Sequence, residues 1–190
     1  LAFLPDGRLA ACFHRGEVYT YNPKTKIWKL FADGLHEPLG IIAEDNHTLV
    51  VMQRPELTRL RDTDGDGEAD HYQTISDDFG MTGNYHEFAF GPARDKDGNY
   101  YVGLNLASSG ASIRPEIRGE FRHYGITREQ FYKNHRAGSG RMYSATPYRG
   151  WIMKIAPDGK TTPFASGFRS PNGVNFDAQG RLWATDNQGD

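Results

Sequence analysis

Apolar and polar positions along the chain repeat as one short unit: an apolar run, a tight polar turn and a second apolar run. Copies of this unit lie at 1–12, 40–52, 88–104 and 174–185. Two β-rich runs around such a turn predict a hairpin, and further alternating runs predict a third and a fourth strand. The copies recur with a period of about 40 to 50 residues, which is typical of β-propeller blades. Because helical periodicity is nearly missing, we predict an all-β propeller of four-stranded antiparallel blades.

The repeats divide the chain into three blades and part of a fourth. Blade 1 is predicted at 1–40, blade 2 at 41–87, blade 3 at 88–173 and the partial blade 4 at 174–190. An insertion at 105–150, rich in arginine, glycine and tyrosine, separates the second and third strands of blade 3. It is either a binding loop or lid, or a variable loop without a function. Three blades and a part cannot close a ring of usual size, so we expect a fragment of a longer protein.

Charge and hydropathy exclude two classes of partner. The formal net charge is −2 and no long basic run is present, which argues against a nucleic-acid binder. No apolar run approaches the length of a membrane span. Cys12 is the single cysteine, so the chain has no internal disulfide, and its place in a strand predicts a buried thiol.

A carboxylate-rich turn follows the predicted third strand of blade 2. Its carboxylates are Asp62, Asp64, Asp66 and Asp70. Carboxylates at alternate positions converge on one centre and Gly67 permits a sharp turn, as in the first half of a calcium loop. Gln73 stands where such loops usually end in glutamate. We predict calcium here, with a solvated acidic turn as the alternative. The turn lies at the end of the blades opposite Arg169, so the ion would be structural.

Two polar segments flank the last predicted hairpin, the loop 167–173 before it and residues 186–190 after it. Because a hairpin returns to the edge at which it began, Arg169 and Asn172 should face the final segment across a few ångströms. We predict a polar site built from these two loops on a rigid sheet.

His86 directly precedes the inner strand of blade 3, at the same end of the blades as Arg169. A neutral imidazole at a propeller mouth can act as a general base. The alternative is a histidine that only hydrogen-bonds the loop backbone.

Several segments resemble one family. GFRSPNGVNF and GRLWATDNQGD resemble the arginine-containing loop and following strands of soluble quinoprotein glucose dehydrogenases. RDTDGDGEAD and YHEFAFGPARDKDGNYYVGLN are similar to large secreted proteins of that glucose/sorbosone dehydrogenase superfamily, which are described as membrane-bound dehydrogenases and often carry cytochrome-c-type domains. The resemblance implies a six-bladed propeller, a periplasmic or extracellular location, and a cytochrome c domain as a candidate partner in the full-length chain.

The resemblance also implies pyrroloquinoline quinone (PQQ) and calcium on the channel face. Arg169 matches the arginine that contacts the quinone. The other cofactor-binding positions are Ser170, Asn172 and Gln188, and the calcium-proximal positions are Gly189 and Asp190, where Asp190 replaces a proline. His86 is similar to the family's base histidine, although its spacing to Phe90-Gly91-Pro92 is shorter and the Gly-Gly of the family motif is missing.

The implied function is PQQ-dependent oxidation of a sugar or alcohol. His86 would take the hydroxyl proton and hydride would pass to the quinone, with Arg169 and calcium stabilising the oxygen that gains charge. One alternative is a calcium-dependent lactonase of the gluconolactonase type, in which Asn172 and Asp186 would be metal ligands. The other is a non-catalytic propeller that binds a glycan or a partner domain, since fold does not fix function.

Overall fold

The structure, a computed structural model, describes residues 1–108, 117–120 and 142–187. Every regular element in these ranges is a β-strand, and none of the described segments forms a helix with the length and apolarity that crossing a membrane requires. The all-β prediction is therefore confirmed.

Three four-stranded antiparallel sheets and one hairpin follow each other along the chain. Sheet 1 contains β1 (Ala2–Phe3), β2 (Leu9–Cys12), β3 (Val18–Asn22) and β4 (Ile27–Ala32). Sheet 2 contains β5 (Gly40–Ala43), β6 (Thr48–Met52), β7 (Leu57–Arg61) and β8 (His71–Ser76). Sheet 3 contains β10 (Ala89–Arg94), β11 (Tyr100–Leu104), β15 (Trp151–Ile155) and β16 (Thr161–Ser166), and the hairpin pairs β17 (Pro171–Phe176) with β18 (Leu182–Asp186). Two short pairs join β9 (Met81–Thr82) to β13 (Ile117–Arg118) and β12 (Ala107–Ser108) to β14 (Met142–Tyr143).

Sheets 2 and 3 are each covered on both faces, as blades of a propeller are. All five residues of β6 are buried, and their side chains alternate between two clusters. Leu49 and Val51 face the cluster shared with sheet 1, whereas Val50 and Met52 face the cluster shared with sheet 3. This alternation follows from the two-residue period of a strand. The predicted four-stranded antiparallel blades are confirmed by this stacking.

Neighbouring sheets approach so closely at the inner strands that only glycine fits. A Cβ placed on Gly40 of β5 would lie 1.3 Å from the carbonyl oxygen of Gly91 in β10. A Cβ on Gly103 of β11 would lie 2.5 Å from the carbonyl oxygen of Pro171. Contacts this short are impossible for real atoms, so these glycines are required by backbone packing between sheets.

A polar cluster fastens sheet 2 to sheet 3. Glu44, at the end of β5, accepts hydrogen bonds from Arg59 Nε at 2.6 Å and Nη2 at 3.2 Å, and from the hydroxyl of Tyr100 in sheet 3. Arg94 lies 3.7 Å from the same carboxylate. Burial alone would raise the pKa of Glu44, but the hydrogen bonds from Arg59 and Tyr100 hold it below its usual value.

The insertion leaves sheet 3 intact, because β11 and β15 pair directly although residues 105–150 separate them. Most of it, 109–116 and 121–141, lies outside the described residues. The exact blade boundaries stay a prediction. Two strands begin inside segments that were assigned to the preceding blade, β5 at Gly40 and β17 at Pro171.

Candidate functional site

The loop before β17 carries Arg169 and Ser170, and Asp186 holds it in place. Asp186 ends β18 and lies opposite Pro171 in the hairpin register. Its carboxylate accepts the backbone N–H of Arg169 at 3.1 and 3.2 Å and that of Ser170 at 2.7 Å. Arg169 Nη1 in turn donates to the carbonyl of Asn187 at 3.0 Å. The hairpin thus brings its approach loop and its end together.

Asn172 lies one residue inside β17, and its Oδ1 accepts the hydroxyl of Thr185 on β18 at 3.2 Å. Both Asn172 and Asp186 are therefore engaged within the hairpin. In the lactonase hypothesis these two side chains are metal ligands, whereas in this structure each accepts hydrogen bonds from its own hairpin and approach loop.

His86 lies in the loop between β9 and β10. Its Nδ1 contacts the hydroxyl of Ser108 in β12, and its backbone N–H donates to Asn84 Oδ1 at 3.0 Å. Burial, followed by the positive charge of Arg169, lowers the pKa of His86 below its ordinary value. The lowered pKa favours the neutral imidazole, and Nδ1 is the ring nitrogen that Ser108 contacts.

These residues meet in one cavity of about 280 Å³. The described residues that line it are His86, Phe88, Phe90, Asn105, Met142, Arg169, Ser170, Asn172 and Asn187. None of these is acidic, so one guanidinium, amides, a hydroxyl and aromatic rings surround the space. Such a lining suits a ligand that carries negative charge or accepts hydrogen bonds.

The aspartate-rich turn lies at the other end of the strands. It joins β7 to β8, whereas the loops that carry His86 and Arg169 enter the inner strands β10 and β17 from the opposite edge. The carboxylate oxygens of Asp62, Asp64 and Asp66 lie within 4.8 Å of one another. Asp70 points elsewhere, since its carboxylate accepts the N–H of Thr63 at 3.2 Å and the Thr63 hydroxyl at 2.6 Å.

Asp62 is the buried member of this turn. Its carboxylate accepts the N–H groups of Gly65 at 2.7 Å and Gly67 at 3.0 Å, and it lies 3.1 Å from His47 Nδ1. Burial alone would raise the pKa of Asp62, but these hydrogen bonds lower it.

The predicted residues Gln188, Gly189 and Asp190 lie outside the described residues.

Sequence reasoning missed the residues that support His86. Asn84 donates from Nδ2 to the Ser108 carbonyl at 2.8 Å, so it ties the loop of His86 to β12. Asn105 lines the cavity with a side chain that is nearly fully buried, and its Oδ1 has no partner among the described residues. The only available signal was position, because Asn105 directly follows β11 at the mouth end.

Comparison with known proteins places the chain in a family and a fold. Residues 25–162 match the family model described as Domain of unknown function (DUF7133). No curated protein sequence matches the chain.

Several solved structures share the fold at low identity. A candidate oxidoreductase (glucose dehydrogenase) from Thermus thermophilus has a TM-score of 0.59 and 17% identity, covering 97% of this chain and 56% of that one. A gluconolactonase from Xanthomonas campestris has a TM-score of 0.53 and 16% identity, covering 92% of this chain and 42% of that one. A candidate gluconolactonase has a TM-score of 0.52 and 16% identity, covering 97% and 61%. The chain spans about half the length of these proteins, and identities this low concern the fold alone.

Proposed function

The chain belongs to the family described as Domain of unknown function (DUF7133), and for this member of it we propose the oxidation of a hydroxyl group of a sugar or alcohol, with PQQ bound in the cavity beside His86 and Arg169. The observation that carries the proposal is the cavity shared by His86 and Arg169, which are far apart in the sequence. A neutral base beside a fixed cation is the pair that removal of a hydroxyl proton requires.

His86 is the proton acceptor in this proposal. Its lowered pKa favours the neutral imidazole, and since Nδ1 contacts Ser108, Nε2 is the nitrogen that would accept the proton of the substrate hydroxyl. Arg169 supplies the positive charge next to His86, and no described carboxylate forms an ion pair with its guanidinium. It is therefore available to stabilise an oxygen that gains negative charge during the reaction.

The lining of the cavity fits PQQ, which is planar and anionic. Arg169, Ser170 and Asn172 would contact its polar edge, and Phe88 and Phe90 offer apolar surface for its rings. When bound, the quinone supplies the hydride acceptor. The residues predicted to hold calcium beside it, Gly189 and Asp190, remain part of the proposal.

Calcium is also proposed in the aspartate-rich turn, where Asp62, Asp64 and Asp66 offer convergent oxygens to a hard cation. Asp70 is bonded to Thr63 and would have to turn to join them. The position at the far end of the strands supports a structural role for this ion. A periplasmic or extracellular location and a cytochrome c domain elsewhere in the full-length chain remain part of the same proposal.

The test is dye reduction by the full-length protein after incubation with PQQ and calcium, with sugars and alcohols as substrates. We expect turnover that His86→Gln lowers at least about a hundredfold, the scale expected for loss of a general base. Arg181→Lys is the matched control for Arg169→Lys, because Arg181 lies in the β17–β18 turn at the opposite edge of the hairpin.

The same preparation separates the alternatives. Hydrolysis of a lactone with calcium alone would identify a lactonase. Saturable binding of a glycan without turnover of either kind would identify a binding module. Either result would refute the proposed dehydrogenase.

A further inference from the structure

Two buried arginines lie beneath the loop that carries His86, which comprises residues 80–88 and is called the His86 loop below. Arg54 follows β6 of sheet 2 and is 4% exposed, and Arg149 precedes β15 of sheet 3 and is 3% exposed. The two guanidinium groups therefore reach the loop from adjacent sheets.

Arg54 binds three carbonyl groups of the His86 loop. Its Nη2 donates to Thr82 at 3.2 Å and to Asn84 at 2.6 Å, and its Nε donates to Glu87 at 3.3 Å. The remaining nitrogen, Nη1, donates to Glu37 Oε2 at 3.0 Å. One side chain thus satisfies backbone acceptors on both sides of His86.

Arg149 binds the two ends of the same loop. Its Nε donates to the carbonyl of Gly80 at 2.7 Å, and its Nη1 donates to those of Glu87 at 3.2 Å and Phe88 at 3.4 Å. The only regular structure inside the loop is the two-residue strand β9. Its buried carbonyls need partners, and the two arginines supply them where a sheet would otherwise do so.

Holding Arg149 in this place is costly. Burial lowers its pKa to about 10, although the negative charge of Glu87 acts in the opposite direction, and no carboxylate of the described residues lies within ion-pair distance of it. Arg149 Nη2 and Glu87 Oε1 also lack partners among the described residues. A buried charge is tolerated only where hydrogen bonds offset its desolvation, and the carbonyls of the His86 loop supply those bonds here.

We propose that Arg54 and Arg149 are positioning residues that fix the His86 loop, so that the imidazole stays against Ser108 and faces the cavity beside Arg169. The planar fork of each guanidinium is the essential feature, since it binds several carbonyls at once while lysine offers a single point charge. The inference rests on the proposed function only for the role of His86 as the base.

The test compares Arg149→Lys and Arg54→Lys with Arg59→Lys in the full-length protein. Arg59 is a matched control because it is also largely buried in sheet 2, but it binds Glu44 and Tyr100 instead of the loop. Hydrogen exchange followed by mass spectrometry reports on the amides of 80–88. We expect exchange to accelerate there about tenfold or more in both test variants and to stay unchanged in the control.

The second readout is the pH dependence of His86 modification by diethylpyrocarbonate, quantified on the proteolytic peptide that contains His86. Loosening the loop exposes the imidazole to water, so the midpoint should rise towards the ordinary histidine value in the test variants. If the protein turns over substrate, kcat should fall about tenfold or more with little change in KM, because a displaced imidazole slows the chemical step more than it weakens substrate binding.

Unchanged exchange and an unchanged His86 midpoint, with thermal stability lowered as in Arg59→Lys, would show a purely structural role and overturn the inference. If Arg149→Lys does not fold, Arg54→Lys, which retains Arg149, gives the same comparison. A wild-type protein without dehydrogenase activity would refute the proposed function alone, because exchange and modification still decide whether the arginines position His86.

Discussion

Replacing Glu44 by glutamine tests the polar cluster that fastens sheet 2 to sheet 3. The substitution keeps the shape of the side chain but removes its charge and turns an N–H₂ group towards Arg59. Glu44 is 13% exposed and Arg59 14%, and two of the three hydrogen bonds to the carboxylate come from the guanidinium. Breaking a fully buried ion pair costs about 3–5 kcal/mol. Because glutamine retains one acceptor, we expect about 2–3 kcal/mol.

The assay is urea unfolding of the full-length protein, with Glu68→Gln as the control. Glu68 lies 3.6 Å from Lys29 and is 60% exposed, so its loss should cost less than about 0.5 kcal/mol. Tyr100→Phe completes a double-mutant cycle, in which we expect a coupling energy with Glu44→Gln of about 1 kcal/mol.

The pH dependence gives a second check on the same cluster. The pKa of Glu44 is lower in the folded protein than its unfolded value of about 4.3. Its contribution to the free energy of unfolding is therefore complete above that value and is lost as the pH falls through the folded pKa. Glu44→Gln should differ most from wild type near neutral pH and approach it in acid. A variant as stable as the Glu68→Gln control at pH 7 would refute the reasoning.

Four further outcomes follow from the structure. Gly40→Ala should destabilise the protein by about 3 kcal/mol or more in urea unfolding, because its Cβ would lie 1.3 Å from a backbone oxygen; a wild-type midpoint would contradict the close approach of β5 and β10. The calcium proposed for the aspartate-rich turn should raise the thermal midpoint of the wild type, and Asp62→Asn should abolish that rise; a wild-type midpoint that does not change with calcium or chelator would contradict calcium binding in the turn. Asp186→Asn should lower kcat/KM about tenfold, since the amide loses the negative charge and places an NH₂ donor where Oδ2 now accepts the backbone N–H of Arg169; unchanged kinetics would show that the loop holds without it. Activity should rise with pH to a plateau whose midpoint lies below the usual histidine value of about 6.5, because His86 must be neutral to act; a midpoint above that value would contradict a base beside Arg169.

Local patterns in the sequence were enough to predict the strands and their antiparallel order. Several hairpins combine a two-residue apolar period with a turn that glycine permits, such as those of Gly7 and Gly180 at positive φ. Both patterns extend over only a few residues, so they can be recognised in the sequence without knowledge of the fold. The same reasoning brought the Arg169 loop to Asp186, because a hairpin fixes which residues lie at its edge.

Contacts between distant segments could not be predicted in this way. Ser108, in the short strand β12, contacts His86 from 22 residues further along the chain, and Arg54 reaches the His86 loop from another sheet. The local periodicity of apolar residues does not predict contacts between segments that lie this far apart in the sequence. The orientation of Asp70 towards Thr63 was also hidden, since the alternate spacing of aspartates predicts convergence but does not specify which side chains hydrogen-bond to their own turn.

The two ends of the strands should therefore respond differently to substitution. The mouth is made of loops whose conformations depend on side chains outside each loop, as Asp186 of the hairpin and Arg54 of sheet 2 show. The aspartate-rich turn depends mainly on its own backbone N–H groups and on His47. The turn is separated from the mouth by the length of β7 and β8, which pair from Arg61↔His71 to Leu57↔Ser76. Calcium in the turn should thus alter stability without shifting the pH profile of His86, whereas substitution of Arg149 should shift that profile at unchanged calcium affinity.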